Sequence, residues 1–211
     1  MNKVDQVVDG RAARWEEHNT QRRRELVEGA VKAIRQHGPG VGMDEIAAAA
    51  ETSKTVLYRH FGDKAGLYQA VVDSVHDFIL RKLPLDEAEK LDPAELVTMV
   101  ADAYLAVVER DRNLYLFVTS RPTGDTPTSD PVGSITTRIG DRVAEAMKAW
   151  LQREGLDDDP ANIWAHGAVG YIWAVADRWI VTNLRRPRAD VVAYIHQFFA
   201  PAFEAQKENK E

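Results

Sequence analysis

The sequence contains no cysteine among its 211 residues. This absence excludes disulfides, thiolate metal sites and cysteine nucleophiles, and it is compatible with a reducing compartment. A hydrophobic run of membrane-spanning length is also lacking, because the longest candidate, residues 163–182, contains His166, Asp177 and Arg178. The first residues include no apolar segment of the kind found in signal peptides. We therefore expect a cytoplasmic protein.

Motifs of common catalytic sites are missing as well. The sequence has no G-x-S-x-G, H-E-x-x-H or P-loop pattern, and its six histidines include no i, i+4 pair. The glycine-rich residues 38–42 follow a predicted helix instead of a strand, which does not suit a phosphate cradle. Residues 157–159 are acidic but lack the ligand spacing and central glycine of a calcium loop. The sequence therefore predicts no catalytic residues, no metal site, no cofactor and no enzyme activity.

Charge is distributed unevenly along the chain. The net charge is −6, but residues 1–64 carry a net charge of +1 and the remainder a net charge of −7. Any basic surface must therefore be local, and the N-terminal part is the place for it. With 45% hydrophobic residues, the chain can also bury a substantial core.

Helical periodicity dominates the sequence. Apolar residues recur at a period near 3.6, while alternating patterns bounded by turn residues are nearly absent. We therefore predict an all-α fold, with a loop at residues 121–133, where proline and glycine cluster. The predicted helices cover approximately residues 22–37, 44–50, 54–61, 63–83, 93–110, 113–119, 134–154, 160–183 and 188–207.

Two short predicted helices are joined by a three-residue turn at residues 51–53. This spacing is typical of a helix-turn-helix, whose second helix enters the DNA major groove. In that second helix, Val56, Leu57 and Phe61 can face a small core. The opposite surface carries side chains that can bind phosphates and base edges, followed by one more lysine: Lys54, Thr55, Tyr58, Arg59, His60 and Lys64.

The stretch MDEIAAAAETSKTVLYRHFGDKAGLYQAVV resembles the DNA-binding domain of TetR-family transcriptional repressors. The shared features are the I-A-x-x-A helix, the S-K-T-V-L-Y-R-H-F helix and the following x-x-K-x-x-L, within residues 22–72. The resemblance implies that Lys54, Thr55, Tyr58, Arg59 and His60 contact DNA and that Lys64 clamps a phosphate. Two positions depart from the family pattern. Glu51 stands where the turn usually has glycine, and Gly42 stands where Thr or Ser commonly caps the helix.

The resemblance also implies a domain organisation. We expect a flexible basic arm over residues 1–21, a helix-turn-helix domain over residues 22–66, and a helical effector-binding and dimerisation domain over residues 67–211. The arginines in and next to the arm either form an ordinary solvated segment or contact DNA, as homeodomain arms do: Arg11, Arg14, Arg22, Arg23 and Arg24.

The C-terminal helices predict self-association. Residues 163–184 are too apolar for a surface helix of a monomer, and in the family the last two long helices pack against those of a second copy. Two DNA-binding domains, one from each copy and here called reading heads, are also needed to bind both half-sites of an operator. We therefore expect a homodimer on a pseudo-palindromic site in double-stranded DNA.

The middle helices enclose an effector site in the family. Single aromatic and aliphatic residues at helical spacing belong to a core more often than to a ligand site. With that alternative open, the candidate ligand-binding residues are Tyr104, Phe117, Arg121, Ile139, Val143, Met147, Tyr171, Trp173 and Asp177. Polar side chains inside apolar runs are better indicators of a ligand site than apolar ones. Arg121 and Asp177 are of this kind, and so are Arg138 and His166. Such a set predicts a lipophilic effector, with an acyl chain or acyl thioester preferred over an aromatic drug-like compound.

The expected mechanism is a shift between two conformations. An effector in the larger domain would tilt the fourth helix and change the spacing of the two reading heads, so that a repressor leaves its operator. A protein-interaction adaptor that uses the same polar surface is the alternative. Lys54 and Lys64 favour phosphate over a protein partner, and a steep salt dependence of DNA binding would separate the two interpretations.

Overall fold

The structure is a computed structural model that describes residues 3–83, 90–119, 131–183 and 185–208. Apart from a 3-10 turn at Lys90, every regular element within these ranges is an α-helix, which confirms the predicted all-α fold. The helices are α1 (Lys3–His37), α2 (Met43–Ala49), α3 (Lys54–Phe61), α4 (Lys64–Lys82), α5 (Pro93–Arg110), α6 (Arg112–Thr119), α7 (Pro131–Glu154), α8 (Ala161–Val181) and α9 (Arg188–Glu208).

Helix α1 differs most from the predicted bounds. We predicted its start at Arg22, but it begins at Lys3 and contains 35 residues, so that prediction was wrong. Residues 3–21 have no proline and only one glycine, and therefore nothing in this segment stops a helix. Its polar composition hides it from a search for apolar periodicity. The proposed domain bounds after residues 21 and 66 stay predictions.

Local signals explain most of the other helix ends. Gly38 ends α1 with φ +88°, a left-handed conformation that favours glycine. Asp92 is the N-cap of α5 and forms a capping box with Glu95, and Pro93 occupies the first helical position between them. Two predicted starts were wrong in detail. Helix α8 begins at Ala161, with Pro160 at the N-cap and no side-chain capping bond, and α7 begins at Pro131, so residues 131–133, which we predicted as loop, are helical.

The chain divides into two compact units. Unit 1 contains Met1–Ser74 and Leu116–Asp125, and unit 2 contains Val75–Tyr115 and Thr126–Glu211. In unit 1, α1 and α2 approach closely at Gly29, where an added Cβ would lie 2.5 Å from the Cβ of Ala50. Its core includes Leu26, Ala30, Ile34, Val41, Ile46 and Leu57.

Unit 2 is built from long helices packed along their length. Helix α7 packs against α8, and α5 packs against α9. Its core is mainly aliphatic and includes Leu96, Leu105, Val143, Met147, Leu151, Ile180 and Ile195. Over the described parts of the chain, no helix combines the length and the hydrophobicity needed to cross a membrane.

Candidate functional site

Helix α3 is fixed by signals at both of its ends and by its buried face. Ser53 is the N-cap, and its Oγ accepts a hydrogen bond from the backbone N–H of Val56 at 3.4 Å. Gly62 ends the helix with φ +81°. Leu57 is fully buried and Phe61 is 8% exposed, so these two side chains hold α3 in unit 1. Of the predicted core face, Leu57 and Phe61 are therefore confirmed as buried, while Val56 is half-buried.

The polar face of α3 points outward. Lys54, Thr55, Tyr58 and Arg59 are exposed, and His60 is half-buried. Tyr58 retains 42% exposure, which is high for a large aromatic side chain. Lys64, the first residue of α4, is also exposed. We refer to Lys54, Thr55, Tyr58, Arg59, His60 and Lys64 as the α3 face; its contact with DNA stays a prediction.

Lys54 has an acidic neighbour that the sequence did not indicate. Its Nζ lies 3.0 Å from Oδ1 of Asp44, in the first turn of α2, and both side chains are exposed. The hydrogen bond and charge of Asp44 raise the pKa of Lys54. Lys54 therefore carries its charge at neutral pH, and a DNA phosphate would have to compete with Asp44 for it.

Arg23 holds the C-terminal end of α3. Its guanidinium carbon lies 4.4 Å from the centroid of the Phe61 ring, and its Nη1 donates a hydrogen bond to the backbone oxygen of His60. Sequence reasoning assigned Arg23 to the basic region beside the arm. It had no local signal for this contact, because 37 residues separate Arg23 from His60.

His60 lies in a positively charged environment. Partial burial lowers the pKa of His60, and the charges of Arg59, Arg22 and Arg23 lower it further. These influences favour the neutral ring, which has one hydrogen-bond donor and one acceptor. The neutral form can still donate to a phosphate oxygen or accept from a base edge.

Glu51 adopts a backbone conformation that favours glycine, the residue that the turn usually has in the family. Its φ is +49°, in the left-handed region, and its N–H donates to the backbone oxygen of Ala48 at 3.1 Å. Gly42 is the N-cap of α2 and has no side chain to cap it, which agrees with the second predicted departure. The turn therefore forms despite a residue that strains it.

Most candidate ligand residues of unit 2 belong to its core. Ile139, Val143 and Met147 form one stripe of α7 and are at most 2% exposed, and Tyr104 of α5 is also buried. The Tyr171 ring stacks on Phe198, with centroids 4.9 Å apart. Ile139, Val143, Met147 and Tyr104 therefore fill packed interior, as the alternative interpretation allowed, whereas Tyr171 is half-buried beside the exposed Phe198.

The remaining candidates are placed differently. Phe117 belongs to unit 1, where its ring centroid lies 5.3 Å from that of Tyr68. Arg138 is exposed, and its Nη2 lies 3.3 Å from Oδ1 of Asp77. Arg121 lies outside the described residues.

His166 makes a structural contact between α7 and α8. Its Nδ1 lies 2.9 Å from the backbone oxygen of Asn162, and its Nε2 lies 3.3 Å from Oδ1 of Asp141. The ring packs so closely on Gly140 that an added Cβ there would lie 2.6 Å from the ring. Both ring nitrogens are engaged within unit 2, so His166 is a poor ligand contact.

A group of polar side chains lies inside unit 2. Trp173 and Asp177 of α8 are half-buried, while Tyr104 and Tyr115 are buried. Burial raises the pKa of both phenols, and the charge of Asp177 adds to the increase. Asp177 therefore lies close enough to both tyrosines for its charge to affect them.

Helices α8 and α9 carry exposed apolar side chains. Ile163, Val181, Tyr194 and Phe198 are between 52% and 75% exposed. We refer to these four residues as the α8–α9 apolar stripe. On α8, Gly167 and Gly170 leave open space, since nothing lies within 4 Å of an added Cβ at either position.

The turn before α8 is acidic. Carboxylate oxygens of Asp157, Asp158 and Asp159 lie within 4.8 Å of one another. Two of the three residues are exposed, and Nζ of Lys148 lies 3.6 Å from Oδ2 of Asp158. These features describe a solvated acidic turn with a lysine partner.

Two family models match this chain. One, described as bacterial regulatory proteins of the tetR family, matches residues 26–71. The other, described as a tetracyclin repressor-like C-terminal domain, matches residues 85–211 and therefore more than half of the chain.

Individual proteins agree with these matches. An uncharacterised HTH-type transcriptional regulator of Mycobacterium tuberculosis is 32% identical over 189 residues, which cover 89% of this chain and 80% of that protein. The HTH-type transcriptional activator FasR of Mycolicibacterium smegmatis is 28% identical over 147 residues, covering 69% of this chain and 65% of FasR. The fold is similar to that of FadR from Bacillus subtilis in complex with stearoyl-CoA, with a TM-score of 0.66, 14% identity and coverage of 82% and 95%.

Proposed function

The chain belongs to the TetR family of DNA-binding transcriptional regulators, and from this premise we propose a ligand-responsive repressor. In this proposal a homodimer binds a pseudo-palindromic operator through two copies of the α3 face. A lipophilic effector, with an acyl chain or acyl thioester preferred, binds in unit 2 and releases the operator. The outward α3 face is the observation that carries the proposal, because five of its six residues are exposed and none belongs to the buried core.

The chemistry of the α3 face supports DNA as its partner. Lys54 and Lys64 are exposed cations that suit phosphates, and Arg59 is long enough for a bidentate contact with guanine. Tyr58 can donate to a phosphate, and the methyl group of Thr55 can contact thymine. This combination of charge and hydrogen-bonding groups favours a nucleic acid over a protein partner.

The α8–α9 apolar stripe supports a homodimer. Exposed side chains as large as Ile163 and Phe198 are unfavourable in water, and a second copy would bury them. Gly167 and Gly170 would let a partner helix approach the backbone of α8. A twofold-symmetric dimer formed through this stripe would carry two reading heads, as a pseudo-palindrome requires.

The effector class is supported by composition and by similarity of fold. Candidate ligand residues in unit 2 are mainly apolar, which suits a hydrocarbon chain. FadR from Bacillus subtilis, which has a similar fold, was solved in complex with stearoyl-CoA, and a long acyl thioester is therefore the first compound to test. Relief of repression would require that the effector bind the DNA-free conformation more tightly than the DNA-bound one.

Helix α4 is our candidate for the connection between effector and DNA. It runs without interruption from Lys64, in the α3 face, past the division between Ser74 and Val75 into unit 2. A tilt of α4 on effector binding would therefore reach the base of the reading head. The expected result is a change in the spacing of the two heads.

Selection from a random-sequence DNA library tests the proposal. We expect a pseudo-palindrome with half-sites about 34–36 Å apart, two chains per DNA in sedimentation, and weaker operator binding when stearoyl-CoA is added. The variant Phe198→Glu, which places a charge in the stripe, should reduce the fraction of dimer. A wild-type monomer, or a selected site without twofold symmetry, would contradict the dimer proposal.

A reporter gene controlled by the selected operator tests the direction of regulation. Repression predicts increased expression when the chain is deleted, because the bound dimer blocks transcription. The relative FasR carries the name of an activator, so decreased expression is the specific alternative. Operator binding that does not respond to any long-chain acyl compound would exclude the proposed effector class.

A further inference from the structure

Trp173 presents a buried hydrogen-bond donor in unit 2. Its Nε1 is inaccessible to solvent, and none of the described residues accepts a hydrogen bond from it. Tryptophan can only donate at this atom, and buried donors in folded proteins are nearly always paired. An acceptor atom of a bound molecule would satisfy the Trp173 N–H.

Asp177 lies on the same face of α8 as Trp173. The two residues are four positions apart in one helix, so their side chains are neighbours. Asp177 is half-buried, and its charge acts on the buried Tyr104 and Tyr115, which brings α5 and α6 to the same place. An ionised carboxylate can only accept hydrogen bonds, and it repels another anion nearby.

These two groups impose different demands on one ligand. Trp173 requires an acceptor, whereas Asp177 tolerates only a neutral or hydrogen-bond-donating group. A carbonyl of an amide or thioester meets the first demand without carrying charge, and an amide N–H also meets the second. A free fatty-acid carboxylate meets the first demand but places a negative charge beside Asp177 in a poorly solvated region, where repulsion is strong.

We propose that Trp173 and Asp177 read the polar end of the effector and select neutral acyl derivatives over the free fatty acid. The inference rests on the proposed lipid-sensing function and adds its specificity. Trp173 is the donor to the acyl carbonyl oxygen, and Asp177 is the residue that rejects the carboxylate.

A matched pair of C12 compounds tests this selection. Dodecanamide and dodecanoic acid share one hydrocarbon chain and differ at the polar end, where only the acid is ionised at pH 7.5. Calorimetric titration of the full chain should give an affinity for the amide at least about tenfold higher than for the acid. In Asp177→Asn, the repulsion is removed and the ratio of the two affinities should fall to about threefold or less.

A second variant tests the donor. Trp173→Phe keeps most of the ring volume but removes the N–H, and we expect it to weaken amide binding by roughly tenfold. Trp164→Phe is the matched control, because Trp164 lies on the same helix and packs its ring on Phe203 at 5.8 Å. Asp159→Asn is the control for the loss of one exposed carboxylate. Both controls should keep the wild-type ratio, and unfolding midpoints of all variants show whether the fold is intact.

The outcomes separate this inference from the proposed function. Equal wild-type affinities for acid and amide would overturn the selection, and so would an Asp177→Asn variant that keeps the wild-type ratio. If stearoyl-CoA releases the protein from its operator but the amide does not bind, this inference alone is overturned. Failure of all three compounds to bind would remove the lipid-sensing proposal together with it.

Discussion

The two units place their candidate functional residues in opposite ways. In unit 1, the α3 face is exposed, while Leu57 and Phe61 of the same helix form the core. In unit 2, candidates such as Val143 and Met147 are themselves the core, at 1% and 0% exposure. DNA binding and stability can therefore be changed separately in unit 1. In unit 2, one substitution acts on packing and on any ligand site together.

This difference affects how mutations should be interpreted. Loss of DNA binding in a variant of Arg59 or Lys64 can be assigned to the proposed contact itself, because both side chains are exposed. His60 and Lys54 need a stability control, because His60 is half-buried beside Phe61 and Lys54 pairs with Asp44. Loss of effector binding in a variant of the α7 stripe has two explanations, a missing contact or a damaged core. Measurements of stability must therefore accompany every binding measurement in unit 2.

The largest expected effect is in unit 2. Met147→Ala removes a fully buried side chain from α7, and we expect the free energy of unfolding to fall by about 2–5 kcal/mol. Lys148→Ala is the neighbouring control, because its Nζ makes only a partly exposed ion pair with Asp158. Chemical denaturation measures both. A small loss of stability in Met147→Ala, combined with altered effector affinity, would show that Met147 lines a ligand site and does not fill the core.

A smaller effect is expected where α1 supports α3. Arg23→Ala removes the cation–π contact with Phe61 and the hydrogen bond to the His60 backbone, and it should lower the free energy of unfolding by about 1–2 kcal/mol. Arg23→Lys should retain part of this stability. Lys32→Ala, an exposed substitution on the same helix, should have little effect.

Arg23 also offers a sharper distinction through the salt dependence of operator binding. If Arg23 only positions α3, the variant Arg23→Ala weakens operator binding but keeps the wild-type slope of log affinity against log salt. A phosphate contact predicts that the magnitude of the slope decreases by about 1.8, because each of the two chains loses one contact worth about 0.9. That decrease would assign Arg23 to the DNA interface. Support of the fold and contact with DNA would then not be fully separate in unit 1.

The smallest effect is expected in the turn between α2 and α3. Glu51→Gly should raise the free energy of unfolding by roughly 0.5–1 kcal/mol, because glycine adopts the φ of +49° without strain. Glu51→Ala removes the same charge but keeps the Cβ, so it should not show this gain. If the two variants are equally stable, charge and not backbone conformation explains the effect.

Local signals explain what the sequence predicted correctly. Helix α3 and its division into Leu57 and Phe61 inside and Arg59 outside follow from periodicity, and the cap at Ser53 follows from residue type. The left-handed conformation of Glu51 agrees with the family pattern, in which glycine occupies that position.

Contacts between distant residues explain what the sequence did not predict. The Lys54–Asp44 ion pair and the Arg23–Phe61 contact join different helices, and no pattern within one helix reports them. The extension of α1 to Lys3 was missed because that segment has little apolar periodicity. In unit 2, core residues and ligand residues have the same composition, so Tyr104 and Met147 could not be assigned from sequence to either role.

The central claim is that the α3 face binds DNA, and the salt dependence of operator affinity in wild type and Arg59→Ala tests it most directly. We predict that log affinity falls linearly with log salt in the wild type. Arg59→Ala should bind at least about tenfold more weakly while keeping the wild-type unfolding midpoint, because the side chain is exposed. An operator affinity that is independent of salt, or that is unchanged in Arg59→Ala, would contradict the account.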